Sequence, residues 1–94
     1  MSNLDLPSKL AQLVVQYSLD VKKGQMIAMQ GSTEAIPLIR ELYREIVRAG
    51  AYPEVMLQFP GQEYILVSES SDEQLTHEST VERHIIERCD ALIL

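Results

Sequence analysis

The sequence predicts an α/β fold, a three-layer arrangement around a mostly parallel sheet. Three observations predict it. Met26, Ile27, Ala28 and Met29, followed by Gln30, form a short run with almost no polar interruption, as in a strand covered on both faces. Residues 35–49 then carry apolar side chains at helical spacing and close on Gly50. Val55, Met56, Leu57, Gln58 and Phe59 follow as a second strand. A strand, a helix of roughly fifteen residues and a strand make a βαβ unit, whose crossover is right-handed as a rule. The rest of the chain reads as cover or continuation of that unit, within a Rossmann-like or flavodoxin-like sheet.

The elements follow in order. Asp5, Leu6 and Pro7 mark a helix start, with Asp5 as the cap and Pro7 in the first turn, where its missing N–H costs little. Leu10, Leu13, Val14 and Tyr17 recur at i, i+3, i+4, i+7, a stripe that would lie on the core, and the helix should end near Ser18. Lys22, Lys23 and Gly24 signal a turn before the first strand. Gly31, Ser32, Thr33 and Glu34 turn out of that strand, Ser32 or Thr33 caps the next helix, and Pro37 fits in its first turn. Ala35, Leu38, Ile39, Leu42, Ile46, Val47 and Ala49 form its buried side, and Tyr43 and Tyr52 are expected to pack at the helix edge. Pro53 belongs before the second strand, because a proline inside a ladder removes a donor.

Beyond the turn at Pro60 and Gly61 the pattern is less decisive. Tyr64, Ile65, Leu66 and Val67 suit either a strand or a short helix. Ser71 to Leu75 reads as a short capped helical turn. Ser79 or Thr80 caps a further helix whose buried side would be Val81, Ile85 and Ile86, leaving Glu82, Arg83, Glu87 and Arg88 in solvent. Cys89, Asp90, Ala91, Leu92, Ile93 and Leu94 close the chain as an apolar, fully buried third strand. A buried strand at a bare terminus is unusual. The expectation is therefore that these 94 residues are one α/β domain, a piece of a longer protein whose doubly wound sheet continues past the last residue.

Composition narrows the function classes. A formal charge of −6 argues against nucleic-acid binding, which needs a clustered basic face. The nearest candidate, Arg40, Arg44 and Arg48 on one helix face, is interleaved with Glu41 and Glu45 and reads as an ion-paired, solvated face. No apolar run approaches the ~20 residues of a membrane span, and the first residues form no secretory signal. A single cysteine excludes an internal disulfide and suggests a cytoplasmic setting.

Chemistry-bearing patterns are sparse. His77 and His84 on one helix would lie ~10.5 Å apart along the axis, too far to share a metal ion. Cys89 reads as a small buried thiol near the start of the last strand. No serine sits in a nucleophile elbow, and no carboxylate pair stands out as an acid–base couple. The weak candidates are Ser32, Thr33 and Glu34, at the carboxyl end of the first strand, where open α/β sheets bind ligands and where free N–H groups could hold a small anion. That loop lacks both the dinucleotide and the P-loop glycine patterns, so a purely structural cap is the competing assignment.

One resemblance covers essentially the whole chain. Leu13-Val14-Val15-Gln16-Tyr17-Ser18-Leu19-Asp20-Val21-Lys22-Lys23-Gly24-Gln25, then Gly31-Ser32-Thr33-Glu34-Ala35-Ile36-Pro37-Leu38-Ile39-Arg40-Glu41-Leu42-Tyr43-Arg44-Glu45, then Ala49-Gly50-Ala51-Tyr52-Pro53-Glu54-Val55, then Ser71-Asp72-Glu73-Gln74-Leu75 and Asp90-Ala91-Leu92-Ile93 occur in an order and spacing that are specific as a group. In these blocks the chain resembles the amino-terminal domain of thermophilic-type metallo-aminopeptidases, the aminopeptidase T family of leucyl aminopeptidases. The resemblance implies a longer parent of two domains that removes N-terminal residues from peptides and dimerises around its active site. It also implies two divalent metal ions of the Zn or Co type, bound by Glu, His and Asp side chains in a carboxyl-terminal domain beyond Leu94. On that reading these 94 residues carry no catalytic or metal-binding residue and serve folding, dimerisation or enclosure of the active site. The alternative is a stand-alone binding or dimerisation module that takes a small anion at Gly31, Ser32, Thr33 and Glu34.

Overall fold

The structure, a computed structural model, describes residues 6–94; the Asp5 cap lies outside the described residues. Helix α1 (Leu6–Leu13) runs on through one π turn, Val14–Ser18, and stops at Ser18 as its sequence predicts. Its buried face is Ala11 and Val15, with Val14 half-buried, while Leu10, Leu13 and Tyr17 are exposed. The predicted stripe is therefore rotated. Helix α1 lies close against the second helix, a contact that small side chains permit, and the π turn widens the spiral and turns Tyr17 away.

Strand β1 (Met26–Ser32) is two residues longer than its apolar run, because Gly31 and Ser32 still pair with Leu57 and Gln58. The turn begins after Ser32 rather than at Gly31. Gly31 lies close to α2: a Cβ there would lie 3.2 Å from the Ile39 Cδ1 atom, so a larger residue would require that side chain to give by a few tenths of an ångström. A 3-10 turn, Thr33–Ala35, leads into α2 (Ile36–Arg48) with Pro37 in its first turn. The helix closes on Gly50 at φ +80°, with Gly50 N–H donating to Val47 O and Ala51 N–H to Ile46 O. That pair of bonds is a Schellman cap, as the glycine predicts.

Strand β2 (Tyr52–Gln58) starts earlier than expected and contains Pro53, paired opposite Ile27. The proline is tolerated because β2 is the edge of a sheet ordered β2-β1-β3. Tyr52 N–H donates inward to Gln25 O, so the alternation of the ladder points the nitrogen of residue 53 outward, where no partner is required.

Of the two structures open to residues 62–70, the helix forms: α3 (Gln62–Glu69). It is followed by α4 (Asp72–Thr76), with a full capping box between Ser71 and Gln74, and by α5 (Thr80–Arg88), capped by Ser79. Strand β3 (Ala91–Ile93) is parallel to β1. It is half-buried rather than fully buried. Asp90 clasps it to β1: its Oδ2 accepts from Met26 N–H and its own N–H donates to Met26 O, both at 2.8 Å.

The two crossovers cover opposite faces of the sheet. Ile27 and Met29 pack with Ala11, Val15, Leu42, Ile46 and Ala51 on the α1/α2 face. Gln30 points the other way and donates through Nε2 to Glu82 Oε1 of α5 at 3.2 Å. Helices on both faces of a parallel sheet give the predicted three-layer α/β fold. The α5 layer is thin. Only Ile85 and Glu82 turn toward the sheet, while Val81 and Ile86 are exposed, contrary to the expected buried trio, and Glu82 is half-buried rather than fully solvated. Ile86 lies ~100° around the helix from Ile85, and Val81 borders an open gap of about 170 Å³ beside the strand ends. Tyr43 and Tyr52, expected to pack at the helix edge, are both exposed, and so is Val47, expected on the buried side of α2, because it lies on the outer face of the helix with Tyr43 rather than on the face toward the sheet.

Candidate functional site

The loop after β1 is the candidate that the sequence offers, and the strand order gives it a position. Successive crossovers leave the sheet on the two sides of β1, so the carboxyl ends of β1 and β3 flank a topological switch point. In open α/β sheets that crevice is the usual ligand position. Here it is small and apolar: Gly31, Ala35, Leu38, Ile39, Ile93 and Leu94 line a cavity of about 90 Å³.

The three candidate residues do different things there. Ser32 is the cap, since its Oγ accepts from Glu34 N–H at 3.2 Å; Thr33 opens the 3-10 turn and accepts through its carbonyl from Ile36 N–H. Glu34 is exposed in the first turn, where a carboxylate interacts favourably with the helix dipole. The same charge opposes an incoming anion. The crevice therefore suits a neutral or cationic group better than the phosphate-like ligand that its helix N-terminus would otherwise attract.

The remaining chemistry-bearing residues are dispersed. His77 ends α4 and His84 lies on α5, so the two histidines belong to separate helices and both are exposed. Cys89 is half-buried at the end of α5, outside β3, with its Sγ donating to Ile86 O at 3.2 Å. Among the described residues no group of three or more His, Cys, Asp and Glu side chains could hold a metal ion. The arginine face of α2 is ion-paired as expected: Arg44 with Glu41 at 3.2 Å and Arg48 with Glu45 at 3.1 Å. Glu45 is 8% exposed, a buried carboxylate that periodicity did not single out.

The sequence reading did not single out the outer surface of α2 as a groove. Ile36, Ile39, Tyr43 and Val47 with Leu57 line an open groove of about 600 Å³, railed by Arg40, Arg44 and Arg48. The signal was present in the sequence: Ile36, Tyr43 and Val47 extend the apolar positions of α2 beyond the width that one core stripe needs.

A family model described as thermophilic metalloprotease (M29) matches residues 5–94. The chain belongs to this family. It is thus a metallopeptidase-type α/β domain from a family that acts on peptides and uses divalent metal ions. Comparison with curated protein sequences finds no match. The described residues do not fit a metal centre of the kind the family name implies, because they bring no third ligand to any candidate pair. No described helix is long and apolar enough to cross a membrane.

Proposed function

We propose that these 94 residues are the amino-terminal domain of a metal-dependent aminopeptidase that hydrolyses N-terminal residues from peptides, and that the metal ligands and catalytic groups lie in a further domain. The observation that carries this reading is the family match over residues 5–94. The domain's part in the enzyme is to fold as a rigid α/β wall, to take part in a homodimer in the cytoplasm, and to help enclose the active site. The test is direct. The 94-residue chain with added Co²⁺ or Zn²⁺ should leave leucyl-p-nitroanilide intact, while a longer product of the same reading frame should cleave it. Chelator-sensitive cleavage by the 94-residue chain itself would overturn the assignment.

A second reading is favoured by the switch-point position of the loop after β1. In it Ser32, Thr33 and Glu34 contact a ligand, either the substrate of the enzyme or a small molecule bound by the domain alone. Replacing Glu34 with Ala in the long form should then raise KM for peptides. An unchanged kcat/KM across a peptide series would leave the loop a structural cap.

A further inference from the structure

Three carboxylates among the described residues are drawn at least partly out of solvent: Glu41, Glu45 and Glu82. Taking a charge from water is costly unless a partner replaces the lost solvation. Glu41 and Glu45 have such partners, Arg44 at 3.2 Å and Arg48 at 3.1 Å. Glu82 enters no ion pair among the described residues. Its chain neighbour Arg83 is engaged instead by Glu78 at 3.2 Å and Glu87 at 2.9 Å. Only a neutral partner meets the Glu82 carboxylate: Gln30 Nε2 donates to its Oε1 at 3.2 Å. The first turn of α5 offsets part of the charge through the helix dipole, which is weaker than a full cation.

Local chemistry would have placed this carboxylate elsewhere. Ser71 and Gln74 close a full capping box ahead of α4, with Gln74 Oε1 accepting from Ser71 N–H at 3.0 Å. Ser79 and Glu82 have the same spacing, and Ser79 Oγ accepts from Glu82 N–H at 3.2 Å. The reciprocal bond is not made. The Glu82 side chain reaches across to the sheet instead, and with Gln30 it lines the gap of about 170 Å³ at the carboxyl ends of β1 and β2. This is the edge at which open α/β sheets take ligands. Met56, Val81 and Ile85 give the gap an apolar wall, and no Lys or Arg lines it. Its volume equals that of roughly five or six waters at ~30 Å³ each, enough for a small organic group.

From this we infer that the gap between α5 and the ends of β1 and β2 binds a primary ammonium group on a short aliphatic chain. The ammonium donates to the two acceptors that the Gln30–Glu82 bond leaves open, Glu82 Oε2 and Gln30 Oε1. A bond from a cation to a carboxylate is charge-assisted and about twice as strong as a neutral one. The aliphatic chain lies on Met56, Val81 and Ile85. The same carboxylate repels anions. The inference stands on Glu82 and its surroundings and does not depend on the peptidase assignment.

The experiment is a titration of the 94-residue chain followed by amide NMR. The probes are butylamine, butyrate as an anion of similar size, and leucinamide as a mimic of a peptide's first residue. Butylamine should shift the side-chain amides of Gln30 and Gln62 and the backbone amide of Glu82 along one saturable curve. Its Kd should be on the order of 1 mM, the range open to a ligand of about five non-hydrogen atoms. Butyrate should shift none of them. Leucinamide bound ~tenfold more tightly than butylamine would support the site as one for the amino end of a peptide, and equal binding would support it as one for simple amines. Glu82→Gln keeps the shape of the side chain but removes the charge, and should weaken butylamine ~tenfold or more. Val81→Trp fills the gap from an exposed position and should weaken it as much without touching the carboxylate. Circular dichroism checks that each variant folds. Absence of a saturable butylamine shift, butyrate bound as well as butylamine, or either folded variant binding as the native chain does would overturn the inference. The Gln30–Glu82 bond would then serve only to tie α5 to the sheet.

Discussion

Residues 6–61 and residues 62–94 use the same local devices and reach different ends. Both halves begin helical segments with a serine whose Oγ accepts a backbone N–H: Ser32 at the 3-10 turn that leads into α2, Ser71 ahead of α4 and Ser79 ahead of α5. Both contain runs of large apolar residues. Yet every buried hydrophobic residue of the described chain, from Ala11 to Ala51, belongs to the first half, and α3, α4 and α5 bury none. The charge divides in the same way. Residues 62–94 hold eight acidic and two basic side chains, so the whole formal charge of −6 resides there. Local capping can start a helix anywhere. Only the β1–α2–β2 unit with α1 gives its helices a place to put their apolar sides.

The largest effect that would sharpen this contrast comes from the core. Ile46 is fully buried between α2 and the sheet, and replacing it with Ala should cost about 2–5 kcal/mol in urea unfolding. Leu66→Ala on α3, where the side chain is half exposed and touches no core, should cost about 0.5 kcal/mol or less. Equal losses at the two positions would mean that α3 is part of the cooperative unit.

An intermediate effect is expected at the helix end. Gly50→Ala forces a Cβ onto a residue at φ +80° and within 3.0 Å of the Lys23 Cγ atom. The left-handed backbone alone costs roughly 1–2 kcal/mol for an L-residue, and the approach to Lys23 adds to it. Gly61 has a similar φ of +87° but open space around it and only α3 beyond it. Gly61→Ala should therefore leave the global unfolding midpoint almost unchanged, although the strain at the residue is comparable.

The particular residues also show what was legible before the structure. The βαβ unit, the glycine stop at 50, the capped helical turn at Ser71 and the closing strand were readable because each depends on a few neighbouring residues. The face of α1 was not, because a π turn changes the period on which the stripe was counted. Pro53 was misplaced because strand order, a non-local property, decides whether a ladder position needs its N–H. Helix α5 was given three buried residues because its periodicity cannot report how little sheet lies beneath it. At the candidate site, the position of Ser32, Thr33 and Glu34 at a strand end was legible, but the choice of Ser32 as cap and the apolar crevice beside it depended on β3 and α2 coming together.

The smallest predicted effect is also the sharpest comparison, because it changes the same chemical group in both halves. Ser32→Ala and Ser71→Ala each remove one cap, worth about 1 kcal/mol to the helix it starts. At Ser32 that helix is the 3-10 turn Thr33–Ala35, which leads directly into α2, and the packing of α2 on β1 links it to global unfolding, so the loss should appear in the urea midpoint. At Ser71 it is α4, which packs on nothing extensive, so the loss should appear as faster amide exchange at Gln74 and Leu75 with the midpoint unmoved. If Ser71→Ala lowered the midpoint as much as Ser32→Ala, helix α4 would have to be coupled to the core.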